Sequence, residues 1–151
     1  MDARHIVLSP DSRRVRKSTD DSMNRNVMSA APSDDFTVRV TNQPSAPNPG
    51  FVFIGFTTRA AFTPDTYIYG RDGVYTLCPF GGLLYGSRKY GTSYCARFIH
   101  GTVRCVADRG RGTIAFHVDG VDRGVAWTDV APGPLHAVVL FRHQGVDVEL
   151  L

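Results

Sequence analysis

The sequence predicts an all-β fold, and three observations predict it. Short runs of alternating apolar and polar residues recur along the chain, the period that puts one face of a strand into a core. Gly-, Pro- and Asp-rich turn signals separate these runs at short intervals, with 15 Gly and 9 Pro in 151 residues. No window of helical length keeps an apolar stripe free of Gly or Pro. On the order of a dozen short strands without a fixed repeat is the pattern of a β-sandwich rather than a propeller or solenoid. With 42% hydrophobic residues, the chain has the apolar material for one globular domain spanning 1–151.

The clearest element is 113–127, TIAFHVDGVDRGVAW. Ile114, Phe116 and Val118 alternate with polar or small residues up to Asp119-Gly120, a pair that favours a tight hairpin turn, so 121–127 returns alongside. Val125 and Trp127 are expected in the core with the first three, and Gly124 marks a bulge or a close backbone approach. Upstream, 6–8 is a short strand candidate. The basic run of Arg13, Arg14, Arg16 and Lys17 is expected as an exposed edge strand whose charges discourage aggregation. Residues 27–28 are expected as another short strand, and 36–41 (FTVRVT) alternates cleanly.

The segment 42–50, NQPSAPNPG, cannot form a regular ladder and is expected as a surface loop, where function concentrates. Residues 51–57 (FVFIGFT) are almost continuously apolar, as in a central strand covered on both faces, with Gly55 at a point of close backbone approach. Residues 67–69 and 74–77 flank Gly70-Arg71-Asp72-Gly73 as a second expected hairpin. The stretch 78–94 mixes Gly, Tyr, Arg and Lys. It has the composition of a recognition surface, or equally of a strand at 83–85 with glycines serving turns. Strands at 102–108, 135–141 and 146–150 complete the list.

Composition also bears on function. A formal charge of +3 with scattered basic residues argues against a nucleic-acid binder, which gathers a basic stripe. Binding of nucleic acid or an acidic surface through Arg13, Arg14, Arg16, Lys17, Arg88 and Lys89 is the alternative, and it requires those residues to converge. No stretch has membrane-spanning length and the N-terminal residues lack an apolar signal core. Cys78, Cys95 and Cys105 fit neither a disulfide framework nor a zinc motif, so a reducing cytoplasmic or nuclear setting is expected. The five histidines fall in no catalytic or metal-binding pattern, so the expectation is no enzyme, no metal and no cofactor.

In order along the chain stand IVLSPDSRRVRK at 6–17, IGFTTR at 54–59, YGRDG at 69–73, VADRGRGTIAFHVDGVDRGVAW at 106–127 and PLHAVVLF at 134–141. Together they resemble the SPRY domain, with 1–35 similar to its preceding PRY segment. The chain departs from the family pattern at 98–105, which keeps the glycine but lacks the acidic residue, and at 135–139, which lacks the Tyr and Pro of the usual final strand. The resemblance implies a bent antiparallel sandwich of two sheets, of the concanavalin or jelly-roll type. It also implies a non-catalytic, monomeric adaptor module that binds a short peptide or protein surface through inter-strand loops. By the same matching, the partner-binding residues are Gln43, Pro44, Ser45, Tyr85, Ser87, Arg88, Lys89, Tyr90, Arg142 and His143. Aromatic area and forked Arg donors in that set suit an acidic or polar peptide.

Overall fold

The computed structural model describes residues 6–8, 13–17, 25–42, 51–142 and 145–151, with the backbone alone for 6–8. The described residues form thirteen strands and no helix: β1 (Ile6–Leu8), β2 (Arg14–Lys17), β3 (Arg25–Met28), β4 (Asp35–Asn42), β5 (Val52–Thr57), β6 (Val74–Cys78), β7 (Leu83–Gly86), β8 (Lys89–Ser93), β9 (Gly101–Asp108), β10 (Thr113–Val118), β11 (Val121–Trp127), β12 (His136–Phe141) and β13 (Val146–Leu150). They make two antiparallel sheets, one ordered β1-β2-β13-β4-β9-β10-β11 and the other β3-β12-β5-β6-β7-β8.

Alternation along each strand builds the core between them. Phe36, Val38 and Val40 of β4 face inward with Val103, Cys105 and Ala107 of β9, while Thr37, Arg39 and Thr41 face out. From the other sheet come Ile54, Phe56, Leu77, Leu84, Val139 and Phe141. Phe36 and Phe56 meet edge to face across the gap at 5.3 Å. The near-continuous apolar run around 51–57 is β5, every residue of it buried, between β12 and β6. Its second face also carries a layer, since Phe53 packs with Ile68, Val74, Val138 and Leu140 on the outside of the six-stranded sheet. Gly55 is required there, because a side chain would run into the backbone carbonyl of Tyr75.

The Asp119-Gly120 hairpin forms with both turn residues at positive φ, +50° and +81°, the geometry that matches strand twist. Its return strand departs from strict alternation. The register between β10 and β11 slips, and Gly124 (φ +96°) takes the left-handed conformation within it. This moves Val125 out of the expected core, to 58% exposure, and buries the consecutive pair Ala126 and Trp127.

Two further expectations change. β2 is no edge strand, since it lies between β1 and β13, and Lys17 is only 1% exposed. Residues 67–69 make no hairpin strand: Ile68 plugs into the outer layer, Arg71 N–H returns to the Ile68 carbonyl at 3.0 Å, and the chain crosses the sheet as a loop. In the Gly-rich stretch after Cys78, the strand alternative at 83–85 holds: it is β7, paired with β8.

Candidate functional site: a tyrosine face on the six-stranded sheet

The two outer faces of the sandwich differ in chemistry. On the seven-stranded sheet, cross-strand neighbours pair their charges. Arg39 and Arg14 both reach Glu149, at 2.9 and 3.2 Å. Arg104 holds Asp35 with Nε on Oδ1 at 2.9 Å and Nη2 on Oδ2 at 2.6 Å. The Arg104 guanidinium keeps the Asp35 carboxyl below its ordinary range. His117 lies 3.8 Å from Asp122 on the next strand. Exposed pairs of this kind add little stability, and they mark a solvated, charged face.

The six-stranded sheet instead carries aromatic rings outward. The segment 58–73 crosses it and is tied down by Asn26, whose side-chain amide donates to the carbonyls of Thr63 and Thr66 at 2.7 and 2.8 Å. The Asn26 backbone N–H donates to Pro64 at 2.7 Å, and Arg71 donates to the Ala61 carbonyl at 3.0 Å. With Ile68 buried, its neighbours Tyr67 and Tyr69 lie over the sheet. Tyr69 stacks on Phe53 with centroids 4.3 Å apart and planes 9° apart. Tyr85 of β7 sets its ring edge-on to both, at 5.2 and 5.7 Å. Tyr90, opposite Tyr85 across the hairpin, is edge-on to it at 5.2 Å, and its hydroxyl is hydrogen-bonded to that of Tyr67. Such offset and perpendicular packing suits ring quadrupoles and fixes four phenols in one cluster. Tyr90 and Tyr67 are 65% and 43% exposed, so a large ring surface stays open to solvent.

Arg142 follows β12 directly, and its charge reaches the Tyr69 hydroxyl. Its N–H donates to the Phe51 carbonyl at 3.1 Å, and its own carbonyl accepts from Lys17 Nζ at 3.2 Å. Desolvation raises the hydroxyls of Tyr67, Tyr69 and Tyr85 above the ordinary phenol value, and neighbouring tyrosines add to it. At Tyr69 the Arg142 charge pulls the other way. Among the described residues, no carboxylate acts on these three hydroxyls.

Of the residues expected at a binding surface, the structure brings together Tyr85, Tyr90 and Arg142. Lys89 begins β8 opposite Gly86, next to Tyr90. Ser87 and Arg88 belong to the turn between β7 and β8, and Ser87 is engaged elsewhere. Ser87 Oγ donates to Asp72 at 3.1 Å, and the Ser87 carbonyl accepts from the indole of Trp127 at 2.8 Å. Arg88 takes the left-handed conformation there, at φ +60°. Gln43, Pro44, Ser45 and His143 lie outside the described residues. Tyr67, Tyr69 and Phe53 are the members that sequence reasoning missed. The signal was the apolar Ile68 between two tyrosines, which was read as a strand.

The basic residues do not share one surface. Arg14 and Arg16 lie on β2 of one sheet, Lys17 is buried, and Arg88 and Lys89 lie on the hairpin at the edge of the other. Nor do the cysteines offer a nucleophile: desolvation pushes the Cys78 thiol up to about 11, and raises Cys95 and Cys105 as well. Among the described residues, no three His, Cys, Asp or Glu side chains gather as metal donors. A cleft of about 360 Å³ lies between Pro32, Asp34, Arg109 and Pro134, and there the Arg109 guanidinium is tied to the carbonyls of Ala131 and Gly133.

No protein-family model matches the sequence, nor does any curated protein. Solved structures do resemble the fold. A human SPRY domain is similar with a TM-score of 0.78 at 15% identity, covering 97% of this chain and 94% of that one. The SPRY domain of human HERC1 is similar with a TM-score of 0.72 at 15% identity, covering 96% and 91%. The neuralized-NHR1 domain of Drosophila melanogaster gives a TM-score of 0.64 at 17% identity, covering 97% and 91%. Two antiparallel sheets with this strand order, matched over nearly their whole length, make the chain a SPRY-like domain in fold.

Proposed function

We propose that the chain is a non-catalytic protein-interaction module whose binding surface is the outer face of the six-stranded sheet. The observation that carries this reading is the exposed, mutually braced cluster of Tyr67, Tyr69, Tyr85 and Tyr90, on a sandwich whose other face carries ion pairs within the chain. Large rings held in place offer contact area without the entropy cost of ordering long side chains, and Tyr and Arg dominate the binding energy of protein interfaces. The SPRY-like fold supports the same class of function. A partner that is a peptide or a protein surface of polar or acidic character suits the phenol hydroxyls. Free thiols at Cys78, Cys95 and Cys105 suit a reducing compartment, the setting we propose.

Photo-crosslinking tests the surface directly. A photoreactive phenylalanine placed at position 90 is expected to capture a discrete protein in cell extract, and the same residue at position 106, on the outside of β9, to capture none. Equal capture from both positions, or none from position 90, removes the assignment.

A further inference from the structure

We propose that the tyrosine face is an oxidative modification site, at which Tyr67 and Tyr90 couple into an intrachain dityrosine. This chemistry needs no partner and goes beyond the interaction-module reading. A dityrosine joins two phenol rings through a carbon next to each hydroxyl, so two rings couple where their hydroxyl-bearing edges meet. Tyr67 and Tyr90 have that arrangement: their hydroxyls are hydrogen-bonded to each other, with ring centroids 6.4 Å apart and planes 33° apart. The pair is 23 positions apart in sequence and joins the crossing segment to β8. Tyr85 braces Tyr90 edge-on at 5.2 Å, and Tyr69 lies stacked to it at 6.4 Å. Tyr90 and Tyr67 are 65% and 43% exposed, so an oxidant reaches the rings and water takes the protons they release.

Each phenol gives up one electron and its hydroxyl proton and becomes a phenoxyl radical, whose unpaired electron is shared with the carbons beside the oxygen. One carbon–carbon bond forms between a ring carbon of Tyr67 and one of Tyr90. The hydrogens on those two carbons then move to the oxygens and restore both phenols, so the protein loses two hydrogen atoms in all. The oxidant is hydrogen peroxide used by a peroxidase, which takes the two electrons and two protons and leaves as two waters. Holding the reacting rings together makes the coupling unimolecular, ahead of encounter with a second molecule. Tyr69 is closer to Tyr67 by centroid, at 3.8 Å, but it is stacked on Phe53 and flanked by Tyr85, so its edge is not free to turn. Most of Tyr90 is in solvent, where its ring rotates readily. Cys78, in the layer beneath, is 1% exposed and held as a neutral thiol by its burial, which makes it a poor competing reductant. The finished link closes a covalent loop in the unfolded chain and so raises the melting temperature, as a disulfide does.

The test treats the dilute, folded whole chain with a haem peroxidase and hydrogen peroxide, then digests it with trypsin. Cleavage after Arg and Lys places Tyr67 in peptide 60–71, Tyr85 in 72–88 and Tyr90 in 90–97. The expected product is a monomer with dityrosine fluorescence, a mass two hydrogens below the parent, a higher melting temperature and a cross-link between 60–71 and 90–97, with fragmentation locating it at Tyr67 and Tyr90. Tyr67→Phe and Tyr90→Phe are each expected to lose that link, and Tyr69→Phe, which removes only the rival partner, to keep it. Melting curves confirm that each variant is folded. In urea, where the two rings are no longer held together, the link is expected to be lost. A link between another pair, dityrosine only between molecules, a link between these two peptides that survives Tyr90→Phe, an equal yield in urea, or no dityrosine at all overturns the proposal.

Discussion

The hydroxyl of Tyr94 occupies the bulge that Gly124 makes between β10 and β11. It accepts the N–H of Phe116 at 3.1 Å and donates to the Gly124 carbonyl at 2.6 Å. Tyr94 follows β8 of the other sheet, so one phenol closes the broken ladder of one sheet from the end of its partner. Its ring also packs edge-on to Phe116 at 5.9 Å. Tyr94→Phe keeps the ring and leaves the Phe116 N–H and Gly124 carbonyl without it. The expected cost is about 1–3 kcal/mol, the penalty of an unmade buried hydrogen bond. Urea denaturation of the variant beside the parent measures it, and an unchanged midpoint would mean that the bulge closes without the hydroxyl.

A second prediction concerns alkaline pH. Tyr67, Tyr69, Tyr75, Tyr85 and Tyr94 all have hydroxyls raised above the ordinary 10, chiefly by desolvation, and Tyr94 reaches about 12. In the unfolded chain these phenols ionise near 10, so between 10 and 12 the folded state binds more protons. Stability is therefore complete below pH 10 and falls as pH rises toward 12. Tyrosinate absorbance and far-ultraviolet circular dichroism should change together in this window. Full ionisation near pH 10 with the fold intact would contradict the packing described.

Gly55 gives a third prediction. It lies mid-strand in β5, between Val138 and Thr76, and a methyl group there would meet the Tyr75 backbone carbonyl. Backbone cannot rotate aside as a side chain can. Gly55→Ala is expected to cost about 1–3 kcal/mol or more, as overpacking does. A melting temperature equal to the parent's would show that β5 and β6 can separate locally at no cost.

Strand positions were legible in the sequence wherever a period of two ran uninterrupted. The alternation at 36–41 and 146–150 became β4 and β13, and Asp119-Gly120 marked its hairpin, because turn chemistry and burial are local. Val125 was misplaced because a bulge adds one residue and reverses the faces after it. Lys17 was read as solvated because charge runs usually are, yet its place in the sheet depends on β1 and β13, which come from the two ends of the chain. The candidate site was half legible. Tyr85 and Tyr90 stood out as aromatics in a Gly-rich stretch, but their neighbours Tyr67 and Phe53 arrive from other segments. Only the tertiary path of 58–73, pinned by Asn26, puts them together.

Lys17 leads to a last prediction that links stability to binding. Its side chain is buried, and its ammonium donates to the carbonyl of Arg142, the residue whose charge acts on the Tyr69 hydroxyl. A buried ammonium pays a desolvation cost that its hydrogen bonds offset, and removing it takes away both. Lys17→Met keeps most of the stem's volume while losing the donor, so the expected net change in stability is within about 2 kcal/mol, since an apolar replacement of a buried charge is often near neutral. Lys17→Ala also leaves a cavity, so it is expected to cost more, about 2–5 kcal/mol by analogy with other long side chains cut to alanine. Binding should separate the two roles. Losing the donor at the Arg142 carbonyl loosens the end of β12, and capture of a protein through position 90 is expected to fall in Lys17→Met even where its urea midpoint matches the parent's. Parental capture in a folded Lys17→Met protein would show that the Arg142 backbone is held well enough without this bond.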